Sequence, residues 1–262
     1  MLLAVQLFAV PPQQPTYTTP ALRDLVDRAS ERNRVAPADL DAYRAEVESE
    51  IAVLTRRANG DETAVSIEQA HNEVRWQRSG EFAQHVTAYR ARLSGPSISA
   101  LAVFNRAWAI PTLYGNRLSL FFGQDATTGK LRESGDPASS SKQATLAVHP
   151  FAALRDRVYD FRGGDTVAVI QTGERAVTVV RVLVEPKSEQ PEWPVVVFRG
   201  EINLDAELGE IVRMRGQFVT LGHRGPQRQR ALVLPVSVKA YVDLESVLVD
   251  GRYWLPRHQR IE

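Results

Sequence analysis

Residues 196–218 read VVFRGEINLDAELGEIVRMRGQF, and this stretch decides the fold. Val196, Phe198, Gly200, Ile202 and Leu204 alternate with Arg199, Glu201, Asn203 and Asp205. A period of two puts the apolar set on one side of an extended strand and the polar set on the other. After a turn spanning residues 205–209, where Gly209 supplies a positive φ, the pattern resumes. Val212, Met214, Gly216 and Phe218 now alternate with Arg213, Arg215 and Gln217. The spacing predicts an antiparallel hairpin with a dry face and a wet face. A slip of one residue would exchange them, so the pattern fixes which side is inside.

Two further hairpins flank it. One runs from Asp165 through Val167 and Val169, turns at Thr172-Gly173, and returns through Ala176, Thr178, Val180, Val182 and Val184 to Pro186. The other carries Val236, Val238, Ala240, Val242 and Leu244 on one face and turns at Asp250-Gly251. Residues 253–262 read as a strand still in progress at an open, charged edge, and further strands are expected to follow in the parent protein.

Upstream, Thr19 and Pro20 open a short amphipathic helix with Leu22, Leu25, Val26 and Ala29 on one stripe, ended by Ala36-Pro37. Residues 39–57 fit both a helical stripe and a strand alternation; the strand reading is taken because sheet follows. Residues 64–78 and 81–93 form a hairpin about Ser79-Gly80, with Trp76 and Phe82 on its arms.

These pieces resemble the LolA-like superfamily, the periplasmic lipoprotein carriers and their relatives. A helix and a strand lead into the Trp76-x-x-x-Gly80-x-Phe82 hairpin, with Arg78-Ser79-Gly80 where the carriers have Arg-Pro-Gly. A Gly-containing strand ending in Leu204-Asp205 turns into Ile211-Val212-Arg213, and Gly251-x-x-Trp254-x-Pro256 closes the pattern. The resemblance spans most of residues 20–262. It implies one domain, a curved antiparallel sheet forming an unclosed half-barrel, with a short N-terminal helix and one or two helical plugs. A similar layout occurs as a domain of larger outer-membrane proteins.

On that resemblance, one side of the sheet is expected to form an apolar trough for a lipid or acyl chain, lined by Val182, Phe198, Ile202, Met214, Phe218, Val238 and Val242. Residues 97–123 hold the densest apolar and aromatic run and would be a lid, with Leu101, Phe104 and Trp108 on one helical face. A second helical plug is expected at residues 150–158, through Phe151, Leu154 and Val158. Residues 124–147, rich in Ser, Thr, Gly and Asp, read as a flexible loop. Uptake would be driven by apolar burial at roughly 25 cal/mol per Å². The alternative is an interaction module of a larger envelope protein, with its core permanently filled.

Composition excludes several classes. A net charge of +1 does not suit a protein that works by neutralising nucleic-acid phosphates. With no Cys, disulfide, thiolate and thiol chemistry are absent. The histidines His71, His85, His149, His223 and His258 form no H-E-x-x-H pair, and His71 with His85 is the one pairing the hairpin suggests. No nucleotide loop or nucleophile elbow is present, so neither cofactor nor catalytic site is expected. Asp205 and Glu207 fall on a turn and are read as solvated. Residues 1–10 are almost wholly apolar and run into a Pro-rich spacer, so residues 1–18 read as the remnant of an export signal, placing the protein in the periplasm or at the outer membrane. No later apolar run reaches the roughly 20 residues of a spanning helix.

Overall fold

The computed structural model describes residues 15–56, 60–79, 81–93, 114–115, 117–120, 128–130, 145–172, 175–187, 195–221 and 240–261. Helix α1 (Pro20–Arg34) begins where the sequence places it, with the Thr19 hydroxyl accepting from the Leu22 amide at 3.1 Å and Pro at the first turn. Arg32 and Arg34 in its last turn complement the helix dipole. The ambiguous stretch after it is strand β1 (Ala42–Arg56), paired along its length with β2 (Glu62–Gln77), which pairs with β3 (Glu81–Leu93).

Short strands β4 (Arg117–Leu120), β5 (Thr128–Lys130) and β6 (Thr145–Val148) come next. The single turn α2 (Arg155–Val158) leads into β7 (Tyr159–Thr172) and β8 (Arg175–Pro186). The deciding hairpin is β9 (Val195–Asp205) and β10 (Ile211–Leu221), and the last is β11 (Ala240–Val249) and β12 (Tyr253–Ile261).

All twelve strands join one curved sheet that does not close into a barrel. Its order is β4-β6-β9-β10-β11-β12-β1-β2-β3-β5, and β8 pairs with β9 alongside β6, carrying β7 outward. The sheet is mixed rather than purely antiparallel. β12 lies parallel to β1 (Glu48↔His258, Ile51↔Ile261) and β6 parallel to β9. Consequently β12 is an interior strand, held by β11 on one side and β1 on the other, and not the open edge expected of it.

Two expectations between residues 97 and 158 change. Within the expected lid and loop, β4, β5 and β6 are strands, because short alternating segments such as Thr145–Val148 find partners in the sheet. Of the helical plug expected at residues 150–158, the structure has the single turn α2, with no fully buried residue. Phe151 is buried in a turn, its amide donated to His149 Nδ1 and its carbonyl accepting from Ser30 Oγ, whereas Leu154 is exposed.

The main core lies between α1 and one face of β7–β11. Leu22, Leu25, Val26 and Ala29 pack on Phe161, Val182, Val184, Phe198, Ile202, Met214 and Val242. Each fully buried Leu or Val contributes roughly 1.5–3 kcal/mol. A second cluster, Leu40, Tyr43, Val47, Val74, Trp76 and Leu255, continues it onto β1 and β2. At the start of β8 the buried side is the opposite of the one expected. Val177 and Val179 are buried with Val212 and Trp254, while Ala176 and Thr178 are exposed. The alternation of β8 itself is kept, since it pairs without a break with β9 from Val179 to Val184; what changes is which face is covered, Val177 and Val179 packing in the cluster with Trp254 and Val212, and Val180, Val182 and Val184 facing the main core.

Gly200 and Gly216 face each other across β9 and β10, and Phe198 Cζ lies where their side chains would be. A Cβ on either would come within 2.2 Å of a carbonyl oxygen of the opposing strand. Only glycine permits this approach, and the Phe198 ring, edge-on to Phe218 at 6.1 Å, fills the space above.

Candidate functional site

Val182, Phe198, Ile202, Met214, Phe218 and Val242, six of the expected trough residues, do come together on one face of β8–β11. They meet under α1, as the floor of the main core, and none is more than 7% exposed. Val238 and the lid residues Leu101, Phe104 and Trp108 lie outside the described residues.

Toward β12, β1 and β2 the same face turns polar. Ser49 Oγ accepts from Asn72 Nδ2 at 2.9 Å and from Gln259 Nε2 at 2.8 Å, and all three side chains are buried. Next to them the Tyr89 hydroxyl donates to Glu68 at 2.6 Å. Hydroxyl and amide groups satisfied in this way hold strands in register, and they make poor lining for a hydrocarbon chain. Sequence alternation hides them, since each occupies an inward position normally given to an apolar residue.

The opposite face carries a row of ionisable side chains, one per strand. Glu245 of β11 is the register partner of His258 on β12; His258 is partner to Glu48 on β1, and Glu48 to His71 on β2. His258 Nδ1 stands 3.9 Å from Glu48 Oε2, and His71 Nε2 3.6 Å from Glu46 Oε2. These four and Glu46, with Arg257 at the rim, line a hollow of about 330 Å³. A second hollow of about 360 Å³ continues over β2 and β3 past Glu50, Gln69 and Arg90. Elsewhere on this face Arg260 pairs with Glu50 at 3.1 Å, Arg213 with Asp243 at 2.5 Å, and Arg44 with Glu73. His71 and His85, which the hairpin could have set opposite each other, are not register partners: His71 faces Ala88 and His85 faces Glu73. What places His71 beside a second histidine's carboxylate is the parallel join of β12 to β1, which no local pattern announces.

A third cluster sits where α1 ends against the β9–β10 turn. Asp205, expected to be solvated, is wholly buried. It accepts from Trp254 Nε1 at 3.1 Å, from the amides of Glu207 and Leu208 at 3.0 Å each, and from Arg175 at 3.2 Å. Glu210 is equally buried and pairs with Arg32 at 2.7 Å. Burial pushes the Glu210 carboxyl above its usual range, and Arg32 opposes the shift. Asn33 Nδ2 donates to the carbonyls of Ala29 and Gly209, tying the helix end to the turn. The cluster is a fastening that ties the end of α1 and the start of β12 to the β9–β10 turn.

His149 lies at the end of β6, fully buried, and desolvation lowers it to about 3. It is therefore a neutral imidazole at ordinary pH, with Nδ1 accepting from the Phe151 amide at 3.0 Å.

No known protein family, curated protein or solved structure matches this chain. Among the described residues no helix is long and apolar enough to cross a membrane.

Proposed function

We propose that this chain is a non-catalytic module of the cell envelope whose apolar interior is permanently filled by its own helix, and which acts by presenting its sheet to a partner. The supporting observation is the position of α1: Leu22, Leu25, Val26 and Ala29 occupy the face that an acyl chain would need. The polar row Ser49, Asn72 and Gln259 beside it argues the same way. Placement in the envelope rests on the apolar start of the sequence and on the resemblance to the LolA-like superfamily. Lipid carriage, which that resemblance implies, requires α1 to swing off six closely packed side chains, exposing them to water at roughly 25 cal/mol per Å².

Native mass spectrometry of the purified protein, with organic extraction of whatever accompanies it, separates the two readings. A filled core gives the bare chain mass and no uptake of a fluorescent fatty acid. Met214→Asp then abolishes the fold by circular dichroism, since a carboxylate is forced into a close-packed interior. A stoichiometric lipid that is lost in a still-folded Met214→Asp protein overturns the proposal in favour of carriage.

A further inference from the structure

From the row Glu245, His258, Glu48 and His71 we infer a binding site for a divalent transition-metal ion, with zinc as the reference ion, on the polar face of the sheet. The inference is independent of whether the core is filled, since it concerns the opposite face. Strands β12, β1 and β2 are neighbours, so His258 and His71 flank Glu48 at one strand spacing on either side, roughly 4.8 Å each way. All three side chains border the same hollow. Two imidazoles and a carboxylate form a donor set that suits zinc, nickel or copper and not calcium or magnesium, which take oxygen ligands.

Bringing these side chains together requires their rotation from the positions they hold. Among the described residues no three such donors already stand gathered around one point. Each imidazole instead faces its own carboxylate at 3.6 or 3.9 Å, too far for a hydrogen bond that must first be broken. Glu46 and Glu48 are each 75% exposed, so turning Glu48 between the two rings displaces no packing. Glu46 and Glu245 add negative charge at the rim, against a single opposing cation in the hollow, Arg257. The remaining neighbours, Arg260, Arg44 and Arg213, are already paired with Glu50, Glu73 and Asp243.

The test is calorimetric titration of the tag-free protein with zinc chloride, supported by competition against a chromogenic chelator. One equivalent is expected to bind, with calcium failing to compete. His71→Ala and His258→Ala should each lower affinity by at least the roughly tenfold that loss of an outer-shell partner costs. His85→Ala, on the same sheet but bordering neither hollow, should bind like the parent, and since His85 is exposed and His71 and His258 are half-exposed, all three variants should keep the fold by circular dichroism. Absence of stoichiometric binding overturns the inference. So does binding that survives in the double variant His71→Ala/His258→Ala.

Discussion

The indole nitrogen of Trp254 donates to the carboxylate of Asp205 at 3.1 Å, joining two residues 49 positions apart in a wholly buried contact. It fastens the β11–β12 hairpin to the β9–β10 turn, and the same carboxylate holds the turn amides of Glu207 and Leu208.

Asp205→Ala should therefore be among the most damaging substitutions. It strands the buried indole N–H, two turn amides and one contact of Arg175, and a cost of about 3 kcal/mol or more follows. Asp205→Asn keeps an acceptor for the turn and should cost less than the alanine. Urea denaturation followed by tryptophan fluorescence measures both, and equal midpoints for the two variants would contradict the role given to the turn amides.

Glu210 leads to an unusual sign. Its folded carboxyl titrates above the ordinary range because burial outweighs the attraction of Arg32, so protonation favours the folded state. Stability linked to this group is present at acid pH and is lost as pH rises through its folded value. Glu210→Gln should accordingly leave neutral-pH stability unchanged or slightly raised. Arg32→Ala leaves the carboxylate buried without its cation and should cost about 2 kcal/mol, less than the roughly 3–5 of a fully buried pair because Arg32 is 35% exposed. Thermal melts at neutral pH check the ordering of the two variants.

His149 sets the opposite slope. The folded imidazole titrates at about 3, against 6.5 for a free one. Between those values the unfolded chain takes up a proton that the folded chain refuses. Stability is complete above pH 6.5 and falls toward pH 3, by up to about 1.4 kcal/mol per pH unit. His149→Asn, which can still accept from the Phe151 amide, should flatten that part of the profile in denaturant titrations between pH 4 and pH 7. An unchanged slope would show that other groups carry it.

Gly200→Ala and Gly216→Ala should each cost about 3 kcal/mol, the upper end of overpacking, because the added methyl meets backbone on the facing strand. Gly251→Ala is the control. Its φ of +64° is strained for alanine, yet nothing lies within 4 Å, so about 1 kcal/mol is expected. Comparing the three in one urea series isolates close approach from backbone strain.

How much of this was legible in the sequence varies by element. The cap at Thr19, the stripe Leu22, Leu25, Val26 and Ala29, and the turns at Gly209 and Asp250-Gly251 all stand where local chemistry put them. The six described trough residues also share one face, because alternation reports facing directly. What covers that face was not legible. A helix stripe and a sheet face each announce that they need a partner, and neither says that the partner is the other.

The sequence by itself determined the capped helix α1, the three C-terminal hairpins and which side of most of their strands is dry, because φ/ψ preferences and the period of two act over a few residues. Tertiary structure alone decided the neighbours. Gln259 meets Ser49 across 210 residues, and the same parallel join brings His258 to Glu48 and hence to His71. It also buried Asp205 at a turn position that locally reads as solvated, with Glu210 beside it, and decided which face of β8 is covered at each end. Strand pairing over such separations depends on how the whole sheet closes on its core, and the residues in contact carry no local mark of it.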